Sequence, residues 1–351
     1  MKKYLILFLS LVLMLTFVAC SSNDAANNTQ PVEETVQEET TEEATEEETV
    51  ASEKEMLEDT FGVYVTPEYV KQMIDGQMEG SDDFVILHGS WGPADVSEEY
   101  QTNHIPGAVH MNTDDIEEPE YWNIRTPEEI TEVMAKYGIT KDTTVIVYGA
   151  DSGAARIAFV SLWAGVENVK VLDGGVKAWM AAGYETEEGI NEPVATSEAF
   201  GLTIPAHPEF VIAMPAETQA ELDSNENFRL VSIRSKDEFE GKISGYSYIE
   251  RMGEPAGALW GHDEFDYLNE DGTIKGIENV ESILSEQGIT KDHDIAFYCG
   301  TGWRATIPFL IAYENGWENI QLFDGGWFAW QMDENNPVQS ITPEEAASKY
   351  E

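Results

Sequence analysis

Of the two cysteines in this 351-residue chain, Cys20 and Cys299, the second stands where chemistry is expected. It opens the run Tyr298-Cys299-Gly300-Thr301-Gly302-Trp303-Arg304, between a short β-rich apolar stretch and a segment of helical spacing. Gly300 and Gly302 let backbone N–H groups turn inward toward an anion, and a helix beginning near Trp303 would aim its positive end at the same spot. A thiol so placed is favoured as thiolate and is therefore nucleophilic. Arg304 ends the run with a fixed positive charge. The plainer alternative is a buried structural cysteine at a strand end. Its position ahead of Gly-x-Gly-x-Arg at a helix start argues for a working thiol.

The elements that must hold this loop occur twice. Gly138-Ile139-Thr140-Lys141-Asp142 returns 150 residues later as Gly288-Ile289-Thr290-Lys291-Asp292. Leu172-Asp173-Gly174-Gly175 with Trp179 returns as Phe323-Asp324-Gly325-Gly326 with Trp330. A period this long means two similar domains and excludes a solenoid of short repeats. In the first copy Thr144 to Tyr148 and Val169 to Leu172 read as strands, and Ala155 to Ala164 and Val176 to Ala182 as helices. Thr126-Pro127-Glu128-Glu129 reads as an N-cap with a capping-box Glu, opening a helix that Gly138 closes. In the second copy Leu230 to Ile233, Ile295 to Tyr298 and Ile320 to Phe323 read as strands, with helices from about Val280 to Gln287 and after Trp303. Alternating strands and helices imply an α/β fold in each copy, a parallel sheet flanked by helices, with ligands beyond the carboxyl ends of the strands.

The Cys299 loop, the Asp-Gly-Gly-x-x-Ala-Trp stretches at Asp173 to Trp179 and Asp324 to Trp330, and His104-Ile105-Pro106-Gly107-Ala108 together resemble the rhodanese superfamily. The resemblance runs from about residue 60 to 340 and is strongest to tandem thiosulfate and 3-mercaptopyruvate sulfurtransferases. It implies a persulfide on Cys299, formed by attack on the sulfane sulfur of a small anionic donor and passed to a thiophilic acceptor such as cyanide or a thiol. No cofactor and no metal is expected. In the first copy Gly149 stands opposite Cys299, so that domain has no thiol for this chemistry. His104 matches a family histidine at the domain interface, with a satisfied structural histidine as the alternative. Gly300 follows the mercaptopyruvate-type loop, whereas Trp303-Arg304 matches better an exported, multi-domain thiosulfate group, which leaves the donor open.

Only six arginines occur, and three fall where the resemblance places a substrate pocket: Arg304, Arg234 and Arg251. Arg234 follows the strand Leu230-Val231-Ser232-Ile233, with Ser232 where relatives carry an Asp that would orient it. Arg251 precedes Gly253 to Ala258, the counterpart of His104 to Ala108. Gly300, Thr301, Gly302 and Trp303 complete the expected substrate-binding set. A guanidinium suits a sulfonate or carboxylate through two parallel bonds, and a surface salt bridge is the alternative for Arg234 and Arg251.

A net charge of −48, from 67 acidic against 19 basic residues, excludes a nucleic-acid partner, which would need a basic face. Cysteine phosphatases and arsenate reductases also hold anions in a loop from Cys to Arg, but with five residues between. Cys299 and Arg304 enclose four, and no general-acid Asp is evident beside them. A non-enzymatic binding or sulfide-sensing module is the third reading, and the intact Cys299 loop weighs against it.

Residues 1–20 resemble a lipoprotein signal peptide: Lys2 and Lys3, an apolar run from Tyr4 to Phe17, then Val18-Ala19-Cys20, the cysteine to be acylated. Residues 21–58 form an acidic linker, rich in Thr, Glu, Asn and Gln, with too little apolar surface to fold. The expected organisation is a signal peptide (1–20), a linker (21–58), an inactive first domain (59–200) and a catalytic second domain (201–351). The lipid on Cys20 is the only membrane attachment expected, facing outside the cytoplasm in the cell envelope.

Overall fold

The computed structural model of the protein describes residues 62–149 and 151–350. The signal peptide, Cys20 and the linker lie outside the described residues. The first sheet contains β1 (Tyr64–Val65), β2 (Phe84–Ser90), β3 (Val109–Asn112), β4 (Thr144–Tyr148) and β5 (Asn168–Leu172) in the order β1-β5-β4-β2-β3. The second contains β6 (Val211–Ile212), β7 (Phe228–Ser232), β9 (Leu259–Trp260), β10 (Asp294–Tyr298) and β11 (Ile320–Phe323) in the order β6-β11-β10-β7-β9. Corresponding strands occupy corresponding places, and every pairing in both sheets is parallel. A separate antiparallel pair joins β8 (Glu254–Pro255) to β12 (Val338–Gln339).

Central strands of such sheets are covered on both faces, which is why β4, Thr-Val-Ile-Val-Tyr, is buried at every position. Helix α1 (Pro127–Lys136) begins in a full capping box: Thr126 accepts from the Glu129 N–H and the Glu129 carboxylate accepts from the Thr126 N–H. Helices α2 (Gly153–Ala164) and α3 (Gly175–Ala181) complete the first copy's motif. The second copy supplies α4 (Lys236–Phe239), α5 (Ile277–Ser285), α6 (Thr306–Glu314) and α7 (Gly326–Met332). Several boundaries shift by one to three residues from the sequence reading, two of them beside the site or its supports. Helix α5 starts three residues before Val280, behind Gly276 at φ +81°. Helix α6 starts at Thr306, because Trp303 to Ala305 remain in the turn that shapes the loop.

The domains share one core. All twelve residues of α2 are buried, as are the first seven of α6, and a helix apolar on all sides must be covered on all sides. They meet through Phe159 and Phe309, edge to face at 4.7 Å between ring centres. The Asp of each Asp-Gly-Gly stretch ties its domain to a backbone N–H of the other: Asp173 accepts from Ile274 at 2.9 Å and Asp324 from Ile124 at 2.8 Å. The carboxyl end of β10, carrying Cys299, therefore faces the first domain's Glu117 to Ile124 segment.

Candidate active site

Cys299 follows the last residue of β10 and is 1% exposed. The loop after it is pinned by α7, whose first N–H groups take up loop carbonyls: Trp327 donates to the Cys299 carbonyl and Phe328 to that of Gly300, both at 2.9 Å. So close an approach demands glycine at the helix start. A Cβ on Gly326, at φ +51°, would lie 2.7 Å from both carbonyl oxygens. Tyr246 accepts from the Gly300 N–H at 3.1 Å, whereas the N–H groups of Thr301, Gly302, Trp303, Arg304 and Ala305 donate to no acceptor among the described residues. Successive donors of this kind, at the mouth of α6 and beside a thiol, make a cradle for negative charge.

Behind the cradle lies a chain of buried charges. The Tyr246 hydroxyl accepts from Arg304 as well as from Gly300. Arg304 places both terminal nitrogens on Glu238, each at 3.0 Å. Glu238 also accepts from Arg234 Nε at 3.2 Å and from the Ser235 N–H at 2.9 Å. Arg234 continues to Glu254 at 2.8 Å, and Glu254 to the Tyr298 hydroxyl. Burial alone would raise the Glu238 carboxyl, but the bonds and charges of Arg304 and Arg234 hold it down at about 2. Burial and the neighbouring Cys299 raise the Tyr246 phenol well above its ordinary value, so it remains a neutral hydroxyl in the working pH range. The loop is thus braced from behind by an alternating line of acid and base.

The side chains near the thiol are aromatic. Tyr246 and Tyr248 lie 5.3 Å apart between ring centres. Tyr248 packs edge-on against Trp122 of the first domain at 4.8 Å, and Trp122 against Phe328 at 4.7 Å. Tyr248 remains 48% exposed, which makes it the accessible face of this wall. Burial and then Cys299 push its phenol up to about 12.

A parallel two-layered duplication, a single thiol under a ring of backbone donors, and an Asp-Gly-Gly helix start clamped to that ring now stand together. The family model for the rhodanese-like domain matches residues 94–182 and 214–333. The chain belongs to the rhodanese family. Thiosulfate sulfurtransferase YnjE of Escherichia coli is 38% identical over 288 residues, which cover 79% of this chain and 65% of that protein, just under two thirds of its length. A putative thiosulfate sulfurtransferase of Haloferax volcanii is 27% identical over 250 residues, 69% of this chain and 85% of the relative. The crystal structure of YnjE superposes with a TM-score of 0.75 at 37% identity, covering 81% of this chain and 70% of that one. Wild-type EanB gives the same TM-score at 35% identity, covering 80% and 70%.

Within this rhodanese frame the expected site residues separate into two groups. Cys299, Gly300, Thr301 and Gly302 form the loop as expected from the sequence, whereas the side chains assigned to the substrate do other work. Arg304 offers no open fork to a donor, because Glu238 and Tyr246 occupy its terminal nitrogens. Arg234 is fully buried and spends its guanidinium on Glu238, Glu254 and the carbonyls of Gly253 and Ser244. Glu238 and Glu254 supply the orientation that Ser232 cannot. Arg251 donates to the carbonyls of Asp333 and Asn336, just past the end of α7, a favourable place for a cation. Trp303 donates its indole N–H to Glu117 of the first domain, at 2.9 and 3.1 Å. His104 is buried wholly within the first domain, between the Tyr100 carbonyl at 2.7 Å, Asn191 at 3.2 Å and Glu187 at 3.4 Å, and is therefore not an interdomain residue.

The residues around the loop that escaped the sequence reading include Tyr246, Tyr248, Trp122, Glu238, Glu254 and Glu117. Glu238 alone carried a usable signal, four residues after Arg234 and at the third helical position of a Ser-x-x-Glu capping box. The first domain repeats the loop geometry without a thiol. Gly149 holds the place of Cys299, and Gly175, at φ +58°, approaches its carbonyl as Gly326 approaches that of Cys299.

Proposed function

We propose that the protein is a sulfurtransferase in which Cys299 carries a sulfane sulfur between a small anionic donor and a thiophilic acceptor. The observation that carries this reading is the set of loop N–H groups from Thr301 to Ala305, which follow the buried Cys299 and find no acceptor among the described residues. With thiosulfate, the Cys299 thiolate attacks the outer sulfur, the S–S bond to the sulfonate breaks, and sulfite leaves with the electron pair. The new persulfide anion lies among the free donors, which stabilise charge as it develops. Cyanide or a thiolate then takes the outer sulfur and returns the Cys299 thiolate. Arg304 contributes through space: its charge, fixed by Glu238, adds to the field at the loop.

A non-enzymatic binding role would leave the cradle and its thiol without use. A phosphatase role fits less well, since Cys299 and Arg304 enclose four residues where those loops enclose five. Steady-state kinetics with thiosulfate and with 3-mercaptopyruvate, each with cyanide as acceptor, test the reading. The free N–H ring favours the sulfonate donor, and turnover with neither donor would reject the assignment.

The aromatic wall favours a second class of acceptor, a flat molecule stacked on the exposed face of Tyr248. EanB structures hold hercynine and ergothioneine, and one holds a cysteine persulfide with ergothioneine. Hercynine offered to thiosulfate-loaded protein would accept the sulfur under this reading and remain unchanged if only cyanide and thiols are acceptors. We further propose that acylation of Cys20 anchors the protein to a membrane of the cell envelope, which labelling with a radioactive fatty acid would reveal.

A further inference from the structure

The two ends of the domain interface are built alike but wired differently. On the active side, Arg156 of the first domain is completely buried at the start of α2. Its Nε donates to Glu117 at 2.9 Å, and its Nη2 to the Trp122 carbonyl at 3.3 Å. Nη2 also lies 2.6 Å from Asp324 of the second domain. Its third nitrogen, Nη1, finds no acceptor among the described residues. That nitrogen presses on the Cys299 loop: a Cβ built on Gly302 would sit 3.0 Å from it. The partner acid, Glu117, receives the Trp303 indole N–H of the same loop.

The wiring has no mirror image. At a spacing of 150 residues Thr306 stands in the place of Arg156 and Gly153 in that of Trp303, so the silent loop has neither the cation nor the indole. The segment that delivers Glu117 is strained to do so, with Trp122 held at φ +58°, a region costly for a bulky residue. Two further bonds fix it, Ile124 N–H to Asp324 and Asn123 Nδ2 to the Ala213 carbonyl at 3.3 Å. The counterpart turn takes the same left-handed conformation with Gly272, at φ +88°, so what is particular to the active side is a bulky indole at that place.

We propose that Arg156 is a positioning residue supplied by the silent domain: through Nη1 it sets the electrostatic field at Gly302 and the Cys299 loop, while Glu117 tempers that charge and anchors Trp303. Asp324 is the remaining charged group on Arg156 and holds the guanidinium from the second domain's side. Burial raises the Glu117 carboxyl to about 7 against the pull of Arg156 and Trp303, which fits an acid kept in a costly place. The inference rests on Cys299 being the working thiol and predicts opposite effects for the two members of one ion pair, which loosened packing would not produce.

The test is the rate at which iodoacetamide alkylates Cys299 in the full chain, read by mass spectrometry on the peptide containing Cys299. Arg156→Met should slow alkylation at pH 7 by roughly threefold to tenfold, as expected for removing a charge from a low-dielectric site. Arg156→Lys should restore part of the rate. Glu117→Gln keeps volume and an indole acceptor while removing the countercharge, and should speed alkylation by roughly twofold to fivefold. Circular dichroism and melting curves establish folding, and if Arg156→Met fails to fold, the lysine and Glu117→Gln variants carry the test. Folded variants that all match the wild-type rate, or slow it alike, overturn the proposal. Alkylation needs no sulfur donor, so a wild type that fails to take up sulfur from thiosulfate would reject the sulfurtransferase reading and leave this result to be judged separately.

Discussion

Glu238 is the single acid shared by the two arginines behind the loop, and replacing it with Gln isolates what its charge contributes. Gln retains the shape, and an oxygen that can cap α4, but cannot offset Arg234 and Arg304 together. Arg234 retains Glu254, whereas Arg304 retains the Tyr246 hydroxyl and a looser approach to Asp263 at 3.8 Å. The native carboxyl is held at about 2 against an ordinary 4.5, a difference worth about 3 kcal/mol of folded-state stability. Removing one member of a buried ion pair costs about 3–5 kcal/mol, which agrees. Because the folded value is depressed, the stabilisation is fully present above about pH 4.5 and is lost as pH falls through about 2. Urea unfolding of wild type and Glu238→Gln at pH 7 should differ by about 3 kcal/mol in the second domain's transition, and the two curves should converge toward pH 2. Turnover should fall with stability, since Arg304 keeps Tyr246 but loses the acid that fixes the pair behind Gly300. A difference below about 1 kcal/mol at pH 7, or one indifferent to pH, would refute the reasoning.

Gly326→Ala places a methyl group 2.7 Å from two loop carbonyls at a left-handed φ, so it should cost about 2–4 kcal/mol and abolish turnover. Gly175→Ala, its counterpart in the silent domain, should lower the melting temperature and leave kcat near wild type in the folded fraction. With a net charge of −48, the protein repels a dianionic donor at long range while the loop attracts it at contact. Salt screens the first beyond about 10 Å at 0.1 M and the second much less, so kcat/KM for thiosulfate should rise with moderate salt before anion competition lowers it. A monotonic fall from the lowest salt upward would show that local attraction dominates at every distance.

The duplication was legible because its signals are local: strand runs, helix caps and the Asp-Gly-Gly stretches each occur within a few residues. Cys299 and its glycines were legible for the same reason. The partners of the arginines were not legible, because sequence shows that a charge exists but not which carboxylate it meets. Arg234 meets Glu238 at helical spacing, but Arg304 reaches Glu238, and Arg234 reaches Glu254, through tertiary contacts without a sequence period. Tyr246 sits on a loop between α4 and β8 and reaches Gly300 only after the chain has folded back. Arg156 and Glu117 were hidden further, because their partners Asp324 and Trp303 belong to the other domain. The helix predicted to begin near Trp303 begins at Thr306, since the loop holds its N–H groups open where a helix would otherwise have started.

The central claim, that Cys299 carries the sulfur, is tested most directly by mass spectrometry of the protein after treatment with thiosulfate. The account predicts one added sulfur atom on the peptide containing Cys299, released as thiocyanate when cyanide is added, and no addition in Cys299→Ser. An unmodified Cys299 in wild-type protein that turns over thiosulfate, or a serine variant that still transfers sulfur, would contradict it.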